Sequence, residues 1–238
     1  LPTGVEPISR PHSDQSLWIA DAMGALGYNA ENYFTRVRDY NNDLRVKYGT
    51  DWAFTIFVVD SSADRDNRFS SGYFAYAYLG GPFLVMTYGN GNYGPSRMDA
   101  VAIHEIGHIF YALDQYYEAR QPCTRRSGYL GVENQNSEYG GCLSNARSIM
   151  RTPLAYTLDP YATGQIGWRD SDGDGILDPL DVTLPITITS LSVDGLVVSV
   201  EGLAEIIPYP SPDHPHVTIN TLTGVQYRFD GGEWQPAT

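Results

Sequence analysis

The stretch HEIGHIFYALDQYY, residues 104 to 117, holds the residue types best spaced to do chemistry. His104 and His108 stand four apart, and on a helix such residues project from one face. Their ring nitrogens can then meet a single Zn²⁺ at about 2.0–2.1 Å. Glu105 lies one step round the helix, where it cannot easily ligate but can reach a water on the metal. Zinc brings the pKa of such a water to about 7, and Glu105 can take its proton and deliver it to a leaving amine. The neighbours Val101, Ala102, Ile103, Ile106, Ile109 and Phe110 predict a buried helix. Two imidazoles and a carboxylate are costly there unless paired or metal-bound. The bland alternative is a pair of half-exposed histidines on a polar helix.

A zinc hydrolase needs a third protein ligand. The chain has five histidines: His12, His104, His108, His214 and His216. None lies between 109 and 213, and His214 and His216 sit in PYPSPDHPH, which reads as a loop. Asp114 follows His108 closely. If the helix ends near Ala112 and the chain turns, Asp114 swings back to the metal. An Asp at a helix C-terminus opposes the helix dipole, which favours a special role. Glu118, Glu133 and Glu138 are its rivals.

His104-Glu105-x-x-His108 followed by Asp114 resembles the zinc signature of the metzincins in its Asp-ended variant, as in the snapalysin-type peptidases. Ser148-Ile149-Met150 resembles that clan's Met-turn, which lies beneath the zinc. The resemblance spans roughly 50–168. It implies zinc on His104, His108 and Asp114, Glu105 as general base and Met150 as the Met-turn residue. It also implies a twisted sheet ahead of the motif helix. Two positions depart from the clan. Tyr111 stands where Gly is usual; a Tyr can stay helical, so the turn is expected later. Thr152 stands where a Tyr is frequent, so Tyr156 or Tyr161 is the candidate oxyanion stabiliser, against a bland role in the core. A gluzincin-like site with Glu133 or Glu138 as ligand is the runner-up; it leaves the Ser-Ile-Met turn unexplained.

Two further motifs carry acids or glycines at meaningful spacing. In DSDGDGILDPLD, residues 170–181, Asp170, Asp172 and Asp174 take loop positions 1, 3 and 5 of an EF-hand. Ile176 offers a carbonyl at 7, Asp178 stands at 9 and Asp181 at 12. Five carboxylates so close repel unless a cation is bound, so the expectation is an EF-like Ca²⁺ loop joining two modules. The alternative is a solvated acidic turn. Gly89-x-Gly91-x-x-Gly94 matches a dinucleotide fingerprint. It is rejected: Pro95 follows directly and the next helix carries the zinc motif. The reading that replaces it is a flexible loop beside the cleft.

The elements that must position these groups follow from pattern. Residues 16–28 and 29–49 predict helices, the first capped by Ser13 or Asp14 and the second ended by Gly49. The apolar run 52–60 predicts a buried strand, and 73–80 and 83–89 two more. Residues 96–114 predict the motif helix, with Ser96 and Asp99 as a capping box. From about 183 alternating β-branched residues take over, with Asp-Gly-Gly as a hairpin signal.

The expected fold is therefore α/β (α+β), a metzincin-like catalytic domain with a twisted mixed sheet and the motif helix, followed by a small all-β module. The expected boundaries are 1–168 for the catalytic domain, 169–182 for the calcium loop and 183–238 for a β-sandwich-like module that stops mid-pattern. The start LPTGVEP, without Met, reads as a removed leader or a trimmed chain.

Composition narrows the function. The net charge is −13 and no basic run stands out, which disfavours nucleic acid. No apolar run approaches about 18 residues, so no membrane span is expected. The two cysteines, Cys123 and Cys142, lie in a polar Gly-rich segment and are expected to pair, stabilising by roughly 2–4 kcal/mol. A disulfide implies export. The expectation is a secreted zinc endopeptidase with Zn²⁺ and Ca²⁺ as cofactors and a protein or peptide substrate. Such a substrate would pair with an edge strand near 73–88. The β module is expected to bind a surface or polymer. The alternatives are an exported adhesion module with a structural metal, and a zinc amidase on cell-wall peptides.

Overall fold

Apolar residues on alternate faces of one central strand organise the first 168 residues. The computed structural model describes residues 1–207 and 220–237. Three strands form a mixed sheet: β1 (Thr55–Val59), β2 (Ala75–Ala77) and β3 (Phe83–Thr87), in the order β1-β3-β2. β3 runs parallel to β1 and antiparallel to β2. β3 is buried throughout. Its Phe83 and Val85 point to one side, into a core with Trp18, Ile19 and Met23 of α1 (Gln15–Ala25) and Val37 of α2 (Tyr33–Tyr48). Its Leu84 and Met86 point to the other, against Val101 and Ile109 of α3 (Met98–Ile109). This is a helix layer on each face of a short mixed sheet, and the chain is mixed α/β.

The predicted elements form, with altered edges. α2 ends at Gly49, whose φ of 62° is the left-handed conformation Gly adopts without strain. Asn32 caps its start by accepting from Phe34 N–H. α1 begins at Gln15 without a side-chain cap, because the Asp14 carboxylate pairs with Arg10 instead. β1 is not buried on both faces as expected. Phe57 packs against Trp18, but Ile56 and Val58 are exposed. The reason is placement: α3 packs against β2 and β3 and leaves that face of β1 uncovered among the described residues. The motif helix is shorter than predicted. A 3₁₀ turn at Pro95–Arg97 precedes it, and no Ser96 cap bond forms.

Beyond α3 the chain is mostly turns held by side-chain amides, with a short ladder of β4 (Arg126–Ser127) and β5 (Val132–Glu133). The helix α4 (Pro160–Gln165) is capped by Asp159, which accepts from Tyr161 and Ala162 N–H. Cys123 and Cys142 are disulfide-bonded. After the acidic loop, β6 (Ile186–Asp194) and β7 (Val197–Ala204) form an antiparallel hairpin, and β8 (Gln226–Tyr227) pairs with β9 (Gln235–Pro236). The Asp230-Gly231 turn joins the latter pair with positive φ at both residues, as the Asp-Gly-Gly signal predicts. Described side chains of both ladders remain largely exposed. The PYPSPDHPH segment, with His214 and His216, lies outside the described residues. No helix among the described residues is long and apolar enough to cross a membrane.

Candidate functional site

The turn after α3 decides the site. Tyr111 was expected to stay helical; instead it adopts φ 68°. Its N–H bonds His108 O at 2.9 Å, and Ala112 N–H bonds Gly107 O at 2.8 Å. Those two bonds are a Schellman motif with a tyrosine in the left-handed position that Gly usually takes. The Tyr111 ring lies against Gly80, where any side chain would overlap it. The turn therefore falls at Tyr111 itself, and residues 112–116 run back along the helix.

Buried amides then clamp this returning strap. Leu113 N–H bonds Gln165 Oε1 at 2.9 Å, Asn134 Nδ2 bonds Asp114 O at 2.9 Å, and Gln115 N–H bonds Met150 O at 2.8 Å. Asn136 Nδ2 holds Gln115 Oε1 at 2.9 Å. Gln115, Asn134, Asn136 and Gln165 are all fully buried. Their amides have no role in a hydrophobic core except to fix backbone that no regular element satisfies.

Asp114 Oδ1 is thereby brought 3.1 Å from His104 Nε2 and 3.1 Å from His108 Nε2. The opposite ring nitrogens are engaged: His104 Nδ1 lies 2.7 Å from Ile149 O and His108 Nδ1 2.7 Å from Ala112 O. Each carbonyl accepts an Nδ1 proton, which leaves Nε2 facing Asp114, where it can donate a proton to the carboxylate or, without that proton, bind a metal. Two imidazole nitrogens and a carboxylate oxygen converging from separate segments fit a tetrahedral Zn²⁺ with one position left over.

Electrostatics follow from burial and this convergence. Burial drives the Glu105 carboxyl above its ordinary range, and the two imidazoles only partly offset it. Its Oε2 has no hydrogen-bond partner among the described residues. Burial opposes charge on His108, yet the hydrogen bond and charge of Asp114 outweigh it and raise His108 to about 9. Burial also opposes charge on Asp114, but hydrogen bonds from both histidines hold it well below the usual carboxylate range.

Met150 lies fully buried beneath the helix, with Ala112, Ile149 and Ala162. A Cβ at Gly107 would come 2.5 Å from its sulfur, so the Gly in HEIGH is the space this Met occupies. None of the acids that rivalled Asp114 joins the two histidines, although Glu118 and Glu138 line the same cleft. Glu133 pairs with Arg126, and Glu138 accepts from Tyr117 N–H and faces Arg151. Arg97 donates to Tyr156 Oη at 3.2 Å, and neither Tyr156 nor Tyr161 lines the cleft over His104, His108 and Asp114. Tyr116 does line it, and sequence reasoning missed it. Its ring centroid is 6.2 Å from that of His104, and it lines the cleft together with Asp114. Burial first, then the Asp114 and Glu105 charges, raise this phenol, so it remains a donor at neutral pH. Its position two residues after the returning Asp was the available signal.

The cleft is about 970 Å³ and is walled by β2 and flanking Tyr73, Phe74 and Tyr76 on one side and by Glu118, Glu138 and Arg151 on the other. The Gly89–Gly94 segment is anchored rather than loose: Gly89 N–H bonds Ser61 Oγ, and a side chain at Gly89 would overlap Asn67. In the acidic loop, Asp170, Asp172 and Asp174 come together, all exposed. Asp178 instead holds Ser171 N–H and Oγ, and the Asp181 carboxylate does not join the cluster. Backbone N–H groups of Gly173 and Gly175 bond Asp170.

No protein-family model, no curated protein and no solved structure matches this chain.

Proposed function

We propose that the chain is a zinc-dependent endopeptidase, with His104, His108 and Asp114 as metal ligands and Glu105 as general base. The observation that carries this is the 3.1 Å approach of both Nε2 atoms to Asp114 Oδ1, with the Glu105 carboxyl buried beside them. A bound zinc would supply a Lewis acid that lowers the pKa of a water and polarises a scissile carbonyl. Glu105 takes the water's proton and returns it to the leaving amine; its upward shift by burial suits a group that must hold a proton in transit. Three protein donors leave a position open, the catalytic rather than the structural pattern. β2 is an edge strand along the cleft, so an extended peptide can add to it through backbone hydrogen bonds. Tyr116 lines the cleft beside His104 and Asp114. The metzincin resemblance supports the same reading through Met150 under the helix. The disulfide favours a secreted protein. Calcium at Asp170, Asp172 and Asp174 would neutralise the linker acids and stiffen it.

The test is hydrolysis of quenched, labelled casein by wild type and Glu105→Ala, with zinc and calcium supplied and zinc content verified. A fall of roughly 10²–10⁴-fold in a fully metallated variant is expected. Zinc bound one to one with no hydrolysis by wild type, and Glu118 found as a fourth ligand, would instead make the site structural and the chain a binding module.

A further inference from the structure

A second cavity, of about 370 Å³, shares no lining residue with the metal cleft. That volume lies within the range of small-molecule sites. One wall is α2, which presents Arg38, Asn41, Asn42 and Arg45, a stripe at i, i+3, i+4 and i+7. The stripe borders an open pocket, with Asn41 buried at its base and Arg38, Asn42 and Arg45 exposed at its rim. The opposite wall is aromatic. Trp52 is half exposed and is held edge-on by Phe110, at 5.7 Å and 69°, and by Tyr129, at 6.2 Å and 88°. Those edge contacts leave the indole a fixed platform.

The polar groups divide by what they can take. Asn41 is the buried floor and is already committed: its Nδ2 bonds Pro82 O at 2.8 Å and its Oδ1 accepts from Thr55 at 2.6 Å. Arg45 is steadied by Asn42 at 2.9 Å, and Arg38 lies over the Phe34 ring at 5.7 Å. Neither guanidinium has a carboxylate partner among the described residues. In a chain of net charge −13, two guanidinium groups and one carboxylate, Asp51, make the lining of this cavity locally cationic. Asp51 at the rim is an acceptor and would repel a purely anionic ligand, but it accepts readily from hydroxyl groups.

We propose that this cavity is a binding site for an acidic saccharide. The C–H face of a sugar ring lies on Trp52. Its hydroxyls bond Asn42 and Asp51. Its carboxylate is taken by Arg38 and Arg45, which suit planar, charge-assisted pairing. A flat aromatic acid would satisfy Trp52 and the arginines but leave Asp51 repelled, so a hydroxyl-bearing ring fits the lining better. The site stands independently of the peptidase reading and would seat the chain on acidic glycans.

The experiment is calorimetric titration of the full chain with trigalacturonate, a hyaluronan tetrasaccharide and sialyllactose, with methyl-esterified trigalacturonate and benzoate as controls. The expected result is saturable binding of at least one acidic sugar. The ester, which keeps the rings and loses the charge, binds at least tenfold more weakly than trigalacturonate if that is the sugar bound. The double variant Arg38→Gln/Arg45→Gln loses at least tenfold, and Trp52→Ala, with its thermal unfolding checked, loses binding altogether. Failure of all three sugars, tighter binding of benzoate than of any sugar, or binding untouched in both variants overturns the proposal.

Discussion

At the residue scale the site is a contest between burial and charge. Without metal, Asp114 and His108 form an ion pair that holds the His108 proton up to about pH 9. The sign follows. His108 is raised above its unfolded value of about 6.5, so its contribution to stability is full below that pH and lost as the pH rises through about 9. Zinc needs the neutral imidazole. Zinc binding should therefore expel a proton below about pH 9, and apparent affinity should rise about tenfold per pH unit up to that point and level off above it. Competition titration with a chromophoric chelator across pH 6–10 checks this; a flat profile would mean that His108 is not a ligand. Tyr116 gives a second prediction. Its ring stands beside His104 and lines the cleft with Asp114, so Tyr116→Phe should weaken zinc binding by no more than about tenfold while the fold is kept. The Co²⁺-substituted protein should show an altered visible spectrum in the same variant.

At the element scale α3 and the segments that clamp it act as one unit. Gly107 has no Cβ because Met150 fills that space, so Gly107→Ala should cost about 1–3 kcal/mol through overpacking. Denaturant titration of Gly107→Ala, Met150→Ala and the double variant measures it; if the clash is the cause, Gly107→Ala costs less in the Met150→Ala background than in wild type. The disulfide closes the segment that carries Asn134 and Asn136, which hold the strap around Asp114. Cys123→Ser/Cys142→Ser should lower stability by about 2–4 kcal/mol and weaken zinc binding too. A stability loss with unchanged zinc affinity would show that the clamps hold without it. The helix and the placing of its two histidines were legible from spacing. So were the end of α2 at Gly49 and the pairing of the two cysteines. The turn at Tyr111 was not, because a tyrosine at φ 68° is disfavoured locally and is imposed by the packing of its ring on Gly80.

At the scale of the whole molecule, a mixed α/β body is followed by an acidic loop and small antiparallel ladders. Asp170, Asp172 and Asp174 are exposed and close together, so their repulsion should be relieved by Ca²⁺. Chelation should then speed cleavage between residues 169 and 182 in limited proteolysis, and added Ca²⁺ should slow it; equal rates would mean a solvated acidic turn. The sequence by itself determined what is periodic or short in range. It set the two histidines and Glu105 on one helix, alternation in the strands, the glycine that stops α2 and the acidic loop. Only the tertiary structure decided which acid returns to the histidines, which tyrosine stands over them and which face of β1 stays bare. The physical reason is range. Helical spacing is set within one turn of the chain. The position of Asp114 depends on a hydrogen bond from Asn134 to its carbonyl and on Leu113 and Gln115 N–H donating to Gln165 and Met150, pairings that nothing in local pattern names.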